Sequence, residues 1–198
     1  QFNLPYYIDM DEMMQKQSID VVSVLTESGN HAKHVINLAK YGKHLVVEKP
    51  LALTLSDADL MIKTCNENDC KLFIIKQNRF NLPVIKLRQA YEQGRFGKLV
   101  LGTVRVRWSR NQDYYDQDKW RGTWNLDGGV LTNQASHHID MLNWIMGDVE
   151  SVFAKANTSL VDIEAEDTAV VILNFKNGAL GVIEATTATR QKDLEGSI

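Results

Sequence analysis

Proline, cysteine and charge of one sign are all scarce in this chain, and each scarcity excludes something. Three prolines in 198 residues, Pro5, Pro50 and Pro83, leave no proline-rich linker. Cys65 and Cys70 are the only cysteines. Their spacing fits neither a zinc motif nor a redox pair, so they read as reduced, structural thiols. With 22 basic against 25 acidic side chains the net charge is −3, with no basic block; nothing marks a nucleic-acid partner. No apolar run approaches membrane-spanning length, and no charged-then-apolar leader opens the chain. The expectation is a cytoplasmic enzyme without a membrane partner. An initiator methionine is also missing: the chain starts Gln1-Phe2-Asn3 and stops at Glu195-Gly196-Ser197-Ile198. It reads as a fragment cut at both ends.

What is present divides into two grammars. Asp9 to Lys16 is a short helix capped by Asp9, and Asp20 to Thr26 is a β-branched run suited to a strand buried on both faces. His31 to Tyr41 is helical, with Gly42 placed to end it in a left-handed cap. His44 to Glu48 and Lys71 to Lys76 are strands. Between them Thr54 to Asn66 is a helix with Leu55, Ala58, Met61, Ile62 and Cys65 on one stripe. Strands alternating with helices predict βαβ units and a parallel sheet. From Leu99 the pattern becomes α+β. Leu99 to Trp108, Ser151 to Thr158, Thr168 to Phe175 and Ala179 to Thr187 read as strands of an antiparallel sheet. Lys176-Asn177-Gly178 is a hairpin turn between the last two, and a helix from about Asn133 to Met146 interrupts the series. The predicted class is α/β: a partial Rossmann-type parallel sheet in residues 1–78, then an incomplete α+β domain with an open, mainly antiparallel sheet in residues 79–198.

Chemistry concentrates in four places. Asp127-Gly128-Gly129 leads into a segment carrying Asn133, His137 and Asp140, whose spacings of four and three put them on one helical face. An imidazole with polar neighbours suits proton transfer, although a lone histidine is also a common core residue. His138, one residue on, points elsewhere around the helix and packs or meets solvent. A His/Asp metal site lacks a third ligand. Thr26-Glu27-Ser28-Gly29-Asn30-His31 lies at the carboxyl end of a parallel strand, where ligands bind in open α/β sheets, or is an ordinary turn with Asn30 as helix cap. Glu48-Lys49-Pro50 occupies the same edge one strand over. Its lysine can reach a substrate hydroxyl or form a surface ion pair, and its proline suits a cis peptide. Trp108, Arg110, Tyr114, Tyr115, Trp120, Arg121 and Trp124 form an aromatic–arginine segment. That composition suits a sugar, base, phosphate or carboxylate, and equally a subunit interface.

These stretches resemble, in order, three motifs of the Gfo/Idh/MocA oxidoreductase family. Asp20 to Thr26 with His31 resembles the strand and TPNxxH loop. Gly42 to Leu51 resembles GKHVxxEKPL, and Gly128 to Asp140 resembles GGxLxDxGxHxxD. The resemblance covers essentially the whole chain and implies a dinucleotide-binding domain followed by an open sheet used for homodimer or homotetramer formation. It implies NAD as cofactor. NADP stays open, because the selector after the second strand is missing. No G-x-G-x-x-G occurs, so the chain would begin after that strand and end inside the second sheet, and alone would bind nucleotide poorly or not at all.

By resemblance Lys49 would hydrogen-bond the substrate hydroxyl and the nicotinamide region, and His137 would be the general base. Thr26, Ser28, His31, Glu48, Lys49 and Pro50 would line the cofactor. Asn133 stands where the family pattern usually has aspartate. An amide cannot relay a proton, so Asn133 would bind substrate or orient His137. Within the family the chain is most similar to nucleotide-sugar 3-dehydrogenases acting on UDP-N-acetylglucosaminuronic acid in polysaccharide synthesis. That resemblance rests on Gln77-Asn78-Arg79, Tyr114-Tyr115-Asp116, Trp120 to Trp124, Asn133-Gln134, and Ala185 to Arg190 running on to Ser197. Arg79, Arg110, Tyr115, Trp120 and Arg121 would then join Lys49, Asn133 and His137 as substrate ligands, with Arg190 also available for anionic groups. Two alternatives stand: a free-sugar or inositol dehydrogenase of the same family, and a cofactor-binding regulator without turnover.

Overall fold

The computed structural model describes residues 4–198; the Gln1-Phe2-Asn3 start lies outside the described residues. Contacts divide the chain into two units, with the division between Ile75 and Lys76. Among the described residues no helix is long and apolar enough to cross a membrane.

In the first unit Asp9 caps helix α1 (Met10–Lys16) by accepting the Glu12 N–H at 2.8 Å, which satisfies a donor that has no partner inside the helix. Strands β1 (Val21–Val24), β2 (His44–Val47) and β3 (Leu72–Ile74) form a parallel sheet in sequence order. Crossover helices α2 (His31–Ala39) and α3 (Leu55–Glu67) join them, as parallel pairing requires. Gly42 turns the chain after α2 with φ +64°, which costs glycine little. Val24, Val35, Leu38, Leu45, Val47, Met61 and Cys65 form the core, each large apolar side chain contributing on the order of 1.5–3 kcal/mol. Of the stripe expected on α3, Met61 and Cys65 reach that core, whereas Leu55 and Ile62 are exposed. Both cysteines are buried free thiols.

The second unit is a five-stranded sheet in the order β5-β6-β7-β4-β8. Its strands are β4 (Leu101–Arg107), β5 (Val149–Asn157), β6 (Thr168–Phe175), β7 (Leu180–Thr186) and β8 (Glu195–Ser197). Every neighbouring pair is antiparallel except β4 with β7, which run parallel. The sheet is therefore mixed and mainly antiparallel, in agreement with the expected class. Strand β6 alternates, burying Ala169, Val171, Leu173 and Phe175 as a half-buried strand must. The hairpin forms at Asn177-Gly178, with Gly178 at φ +83° and Asn177 Oδ1 accepting the Ala179 N–H. Helix α6 (Ser136–Met146) lies against β4 so closely that a Cβ on Gly102 would sit 2.7 Å from Leu142 Cδ1.

Three features depart from the sequence reading. Helices α4 (Leu82–Glu92) and α5 (Gln112–Asp116) had no clear periodic signal; α4 buries no residue and α5 has five. Strand β8 pairs with β4 beyond the last strand read from the pattern. Helix α6 starts at Ser136, so Asn133 lies in the preceding turns, where its N–H donates to Gly129 O at 2.9 Å. Only His137 and Asp140 of the expected trio share the helix.

Those turns rest on a buried carboxylate. Glu166 accepts the Leu131 N–H at 3.0 Å, and a Cβ on Gly129 would lie 1.9 Å from Glu166 Oε2. Gly129→Ala must expel that carboxylate from its donor, at a cost of about 1–3 kcal/mol. Denaturant unfolding checks this: Gly129→Ala combined with Glu166→Ala should lose clearly less than the two single losses added together.

Candidate active site

At the carboxyl edge of the parallel sheet, two loops are tied by one imidazole. His31 is 1% exposed; its Nδ1 lies 2.8 Å from Pro50 O and its Nε2 3.0 Å from Thr26 O. The ring thus bridges the loop after β1 to the loop after β2. Thr26 Oγ1 hydrogen-bonds His34 Nδ1 at 3.0 Å, and buried Ser28 opens a single 3-10 turn. Asn30 does not cap α2; its Nδ2 donates to Glu27 Oε2 at 3.0 Å, and this bond holds the Glu27 carboxyl below the usual range. Glu48 Oε2 accepts the Lys49 backbone N–H at 3.0 Å, and the Lys49–Pro50 peptide is cis. Thr26, Ser28, His31, Glu48, Lys49 and Pro50 therefore gather at one edge, with His31 beneath it.

In the second unit His137 faces Gln77, Nε2 to Nε2 at 3.4 Å. One turn on, Asp140 accepts two bonds from Arg79, each 2.7 Å, a bidentate fork. Arg79 also lies 4.8 Å from the Trp144 ring, so this guanidinium is largely occupied within the fold. Lys76 Nζ stands 3.9 Å from the same carboxylate. Burial pushes the Lys76 ammonium down from its ordinary value, Asp140 partly restores it and Arg79 lowers it again. Asn133 Nδ2 donates to Asp127 Oδ1 at 2.5 Å.

The aromatic–arginine segment is an alternating column. Arg110 lies between the rings of Trp108 and Tyr114, and Arg121 between Tyr114 and Trp120, at 4.6–5.4 Å. Asp193 pairs with Arg110, and Asp118 with Arg121. Tyr115, expected among the substrate ligands, is 6% exposed, its hydroxyl bonded to Thr187 Oγ1 at 3.1 Å. Burial raises its phenol above the ordinary value. Successive side chains of helix α5 point about 100° apart, which turns Tyr115 inward and leaves Tyr114 in the column. Gln77, Tyr114 and Asp127, which the sequence did not single out as ligands, contact His137, the two arginines and Asn133 respectively. For Asp127 the only signal was its place before Gly128-Gly129.

Comparison with known proteins supplies the family. Residues 1–76 match the oxidoreductase family model with an NAD-binding Rossmann fold, and residues 84–198 match the GFO/IDH/MocA C-terminal domain. The chain belongs to the Gfo/Idh/MocA oxidoreductase family. It is similar to the WlbA dehydrogenase from Bordetella pertussis, solved in complex with NADH and UDP-GlcNAcA. The two share 43% identity and a TM-score of 0.94, over 96% of this chain and 55% of that one. The WlbA dehydrogenase from Chromobacterium violaceum, in complex with the same two molecules, gives 40% and 0.94, with the same coverage of each chain. Myo-inositol 2-dehydrogenase of Thermotoga maritima is 39% identical over 90% of this chain and 53% of its own. The chain spans about half the length of these relatives.

For a Gfo/Idh/MocA chain the group to be held is a nicotinamide dinucleotide, which sits along the carboxyl ends of parallel strands in sheets of this type. The observed edge offers such a surface: two loops locked together by His31, with Leu25 and Thr26 exposed beside them. A glycine-rich diphosphate turn is not among these 198 residues.

Beside His137, His138 is buried, its Nδ1 unpartnered among the described residues and its ring edge-on to Trp108. Burial lowers its folded value below the ordinary 6.5. The unfolded chain then binds more protons, so the stability His138 allows is complete above about pH 6.5 and is lost as pH falls. Melting curves from about pH 7 to about pH 5 should fall less steeply for His138→Leu than for the wild type; parallel curves would refute the effect.

Proposed function

We propose that the protein carrying this chain is an NAD-dependent dehydrogenase that oxidises a ring hydroxyl of a nucleotide-activated sugar acid, at C3 of a UDP-N-acetylglucosaminuronic-acid-like substrate. The observation that carries this reading is the column of Trp108, Arg110, Tyr114, Arg121 and Trp120. Guanidinium groups held between aromatic rings suit a diphosphate or a carboxylate beside a flat base, whereas a neutral polyol needs no such cation. The WlbA dehydrogenase solved with UDP-GlcNAcA, at 43% identity, supports it.

In this reading Lys49 donates a hydrogen bond to the reacting hydroxyl and His137 takes its proton at Nε2, the nitrogen facing Gln77. The nicotinamide ring, when bound, supplies a hydride acceptor. Thr26, Ser28, Glu48 and Pro50 line that cofactor, and His31 holds their loops. Asn133, Trp120 and the arginines orient the substrate, with Arg79 acting mainly through Asp140. Exposed Phe153, Val170, Ile172 and Leu180 share the outer face of the second sheet and serve dimer or tetramer association. The free thiols suit the reducing cytoplasm.

A second reading, a polyol dehydrogenase of the same chemistry, is favoured by the 39% identity to myo-inositol 2-dehydrogenase. Nicotinamide absorbance in the full-length protein separates the two. Turnover should occur with UDP-N-acetylglucosaminuronic acid and not with myo-inositol or glucose, and Arg110→Ala or Arg121→Ala should weaken kcat/KM about 10-fold or more. Lys49→Ala and His137→Ala should each lower kcat by roughly 10²–10⁴-fold. Turnover of myo-inositol that survives loss of both arginines would transfer the assignment to the polyol.

A further inference from the structure

Asp127 is 1% exposed and each of its carboxylate oxygens has a distinct partner. Oδ2 accepts the Gly122 N–H at 2.7 Å, and Oδ1 accepts Asn133 Nδ2 at 2.5 Å. Its own N–H and that of Gly128 both donate to Thr123 O, at 3.1 and 2.9 Å. The carboxylate is thus anchored to a closed loop that begins beside Arg121.

The two ends of an asparagine amide are almost the same size, and neither backbone nor packing readily tells them apart. A carboxylate does, because it only accepts. The NH₂ end of Asn133 must face Asp127, and the carbonyl end is turned away from it. We propose that Asp127 is a positioning residue: its buried carboxylate fixes the Asn133 amide so that the substrate meets a carbonyl oxygen. This rests on the proposed role of Asn133 at the substrate, and it specifies the chemistry there. The group presented to Asn133 is a hydrogen-bond donor, a ring hydroxyl or an amide N–H, and not a phosphate or carboxylate oxygen.

The same geometry accounts for asparagine at a position where the family pattern usually has aspartate. An aspartate at 133 would press two carboxylates together, and one proton would have to be shared between them. Asparagine keeps an acceptor for the substrate beside a charge that stays buried.

The test uses the full-length protein as wild type, Asp127→Asn, Asn133→Asp and the double exchange. Without substrate, Asn133→Asp should lose melting temperature as pH rises from about 5 to about 8, because like carboxylates raise the folded pKa and the stability goes as the shared proton leaves. The double exchange, with one amide and one carboxylate again, should not show this loss. With substrate, Asp127→Asn lets the new amide donate to Asn133 and turn its NH₂ outward, so kcat/KM should fall about 10- to 100-fold. The double exchange restores an acceptor at 133 and should recover to within about fivefold. Wild-type kcat/KM in Asp127→Asn, or a folded double exchange no better than it, overturns the proposal. So does the same pH profile in Asn133→Asp and the double exchange. Failure of the functional reading is distinguishable: a wild type that turns over no sugar overturns the substrate role, while the pH profiles still decide whether the amide is held by Asp127.

Discussion

A carboxylate withheld from water must find donors, and three of them organise the second unit where regular structure is thin. Asp127, Glu166 and Asp167 are all buried, a situation that costs several kcal/mol per ion unless hydrogen bonds replace the lost hydration. Their donors are mostly backbone: Gly122 for Asp127, Leu131 for Glu166, and Ser159 and Leu160 for Asp167, which also accepts the Thr168 hydroxyl. Between β4 and α6 only α5 is regular. Backbone turns carry much of the path from Ser109 to Ala135, and Asp127 and Glu166 pin it further by accepting the Gly122 and Leu131 N–H groups.

Legibility in the sequence followed periodicity. Alternation along β6 and the Asn-Gly hairpin are short-range signals, and the structure carries both. So are the β-branched strands separated by helices in the first unit. The edge loops were legible for a different reason, since strand ends in a parallel sheet fall on one side whatever their sequence. What could not be read depends on contacts distant in sequence. Nothing local separates Tyr114 from Tyr115; the short α5 decides which one enters the core. Helix α4 was silent because it buries no residue. Asn133 looked helical by spacing, but its side chain is taken by Asp127. No sequence pattern distinguishes a buried aspartate from a solvated one.

Charge in the candidate site is held rigidly. Arg79 is forked onto Asp140, and Arg110 and Arg121 are stacked and paired. Each cation–π contact contributes on the order of 0.5–1 kcal/mol. The larger consequence is entropic, because a side chain already fixed loses little freedom when a ligand arrives. The first unit applies the same economy with one histidine, whose two nitrogens reach two loops.

The parallel pairing of β4 with β7 bears on how the chain is made. Leu101 pairs with Leu180, and the other neighbour of β4 is β8, beginning at Glu195. Both partners of β4 therefore emerge long after it. At ribosomal rates of about 5–20 residues per second, β4 waits on the order of 4–16 s with both edges open. That interval is long compared with hairpin formation, and β5, β6 and β7 can pair with one another as they appear. Pairing of β5, β6 and β7 can thus precede the docking of β4 on β7, and β8, whose partner in the sheet is β4, can add only after that. Topology of this kind slows folding independently of final stability, and it keeps the edges of β4 unpaired until residues 180 and beyond have been made.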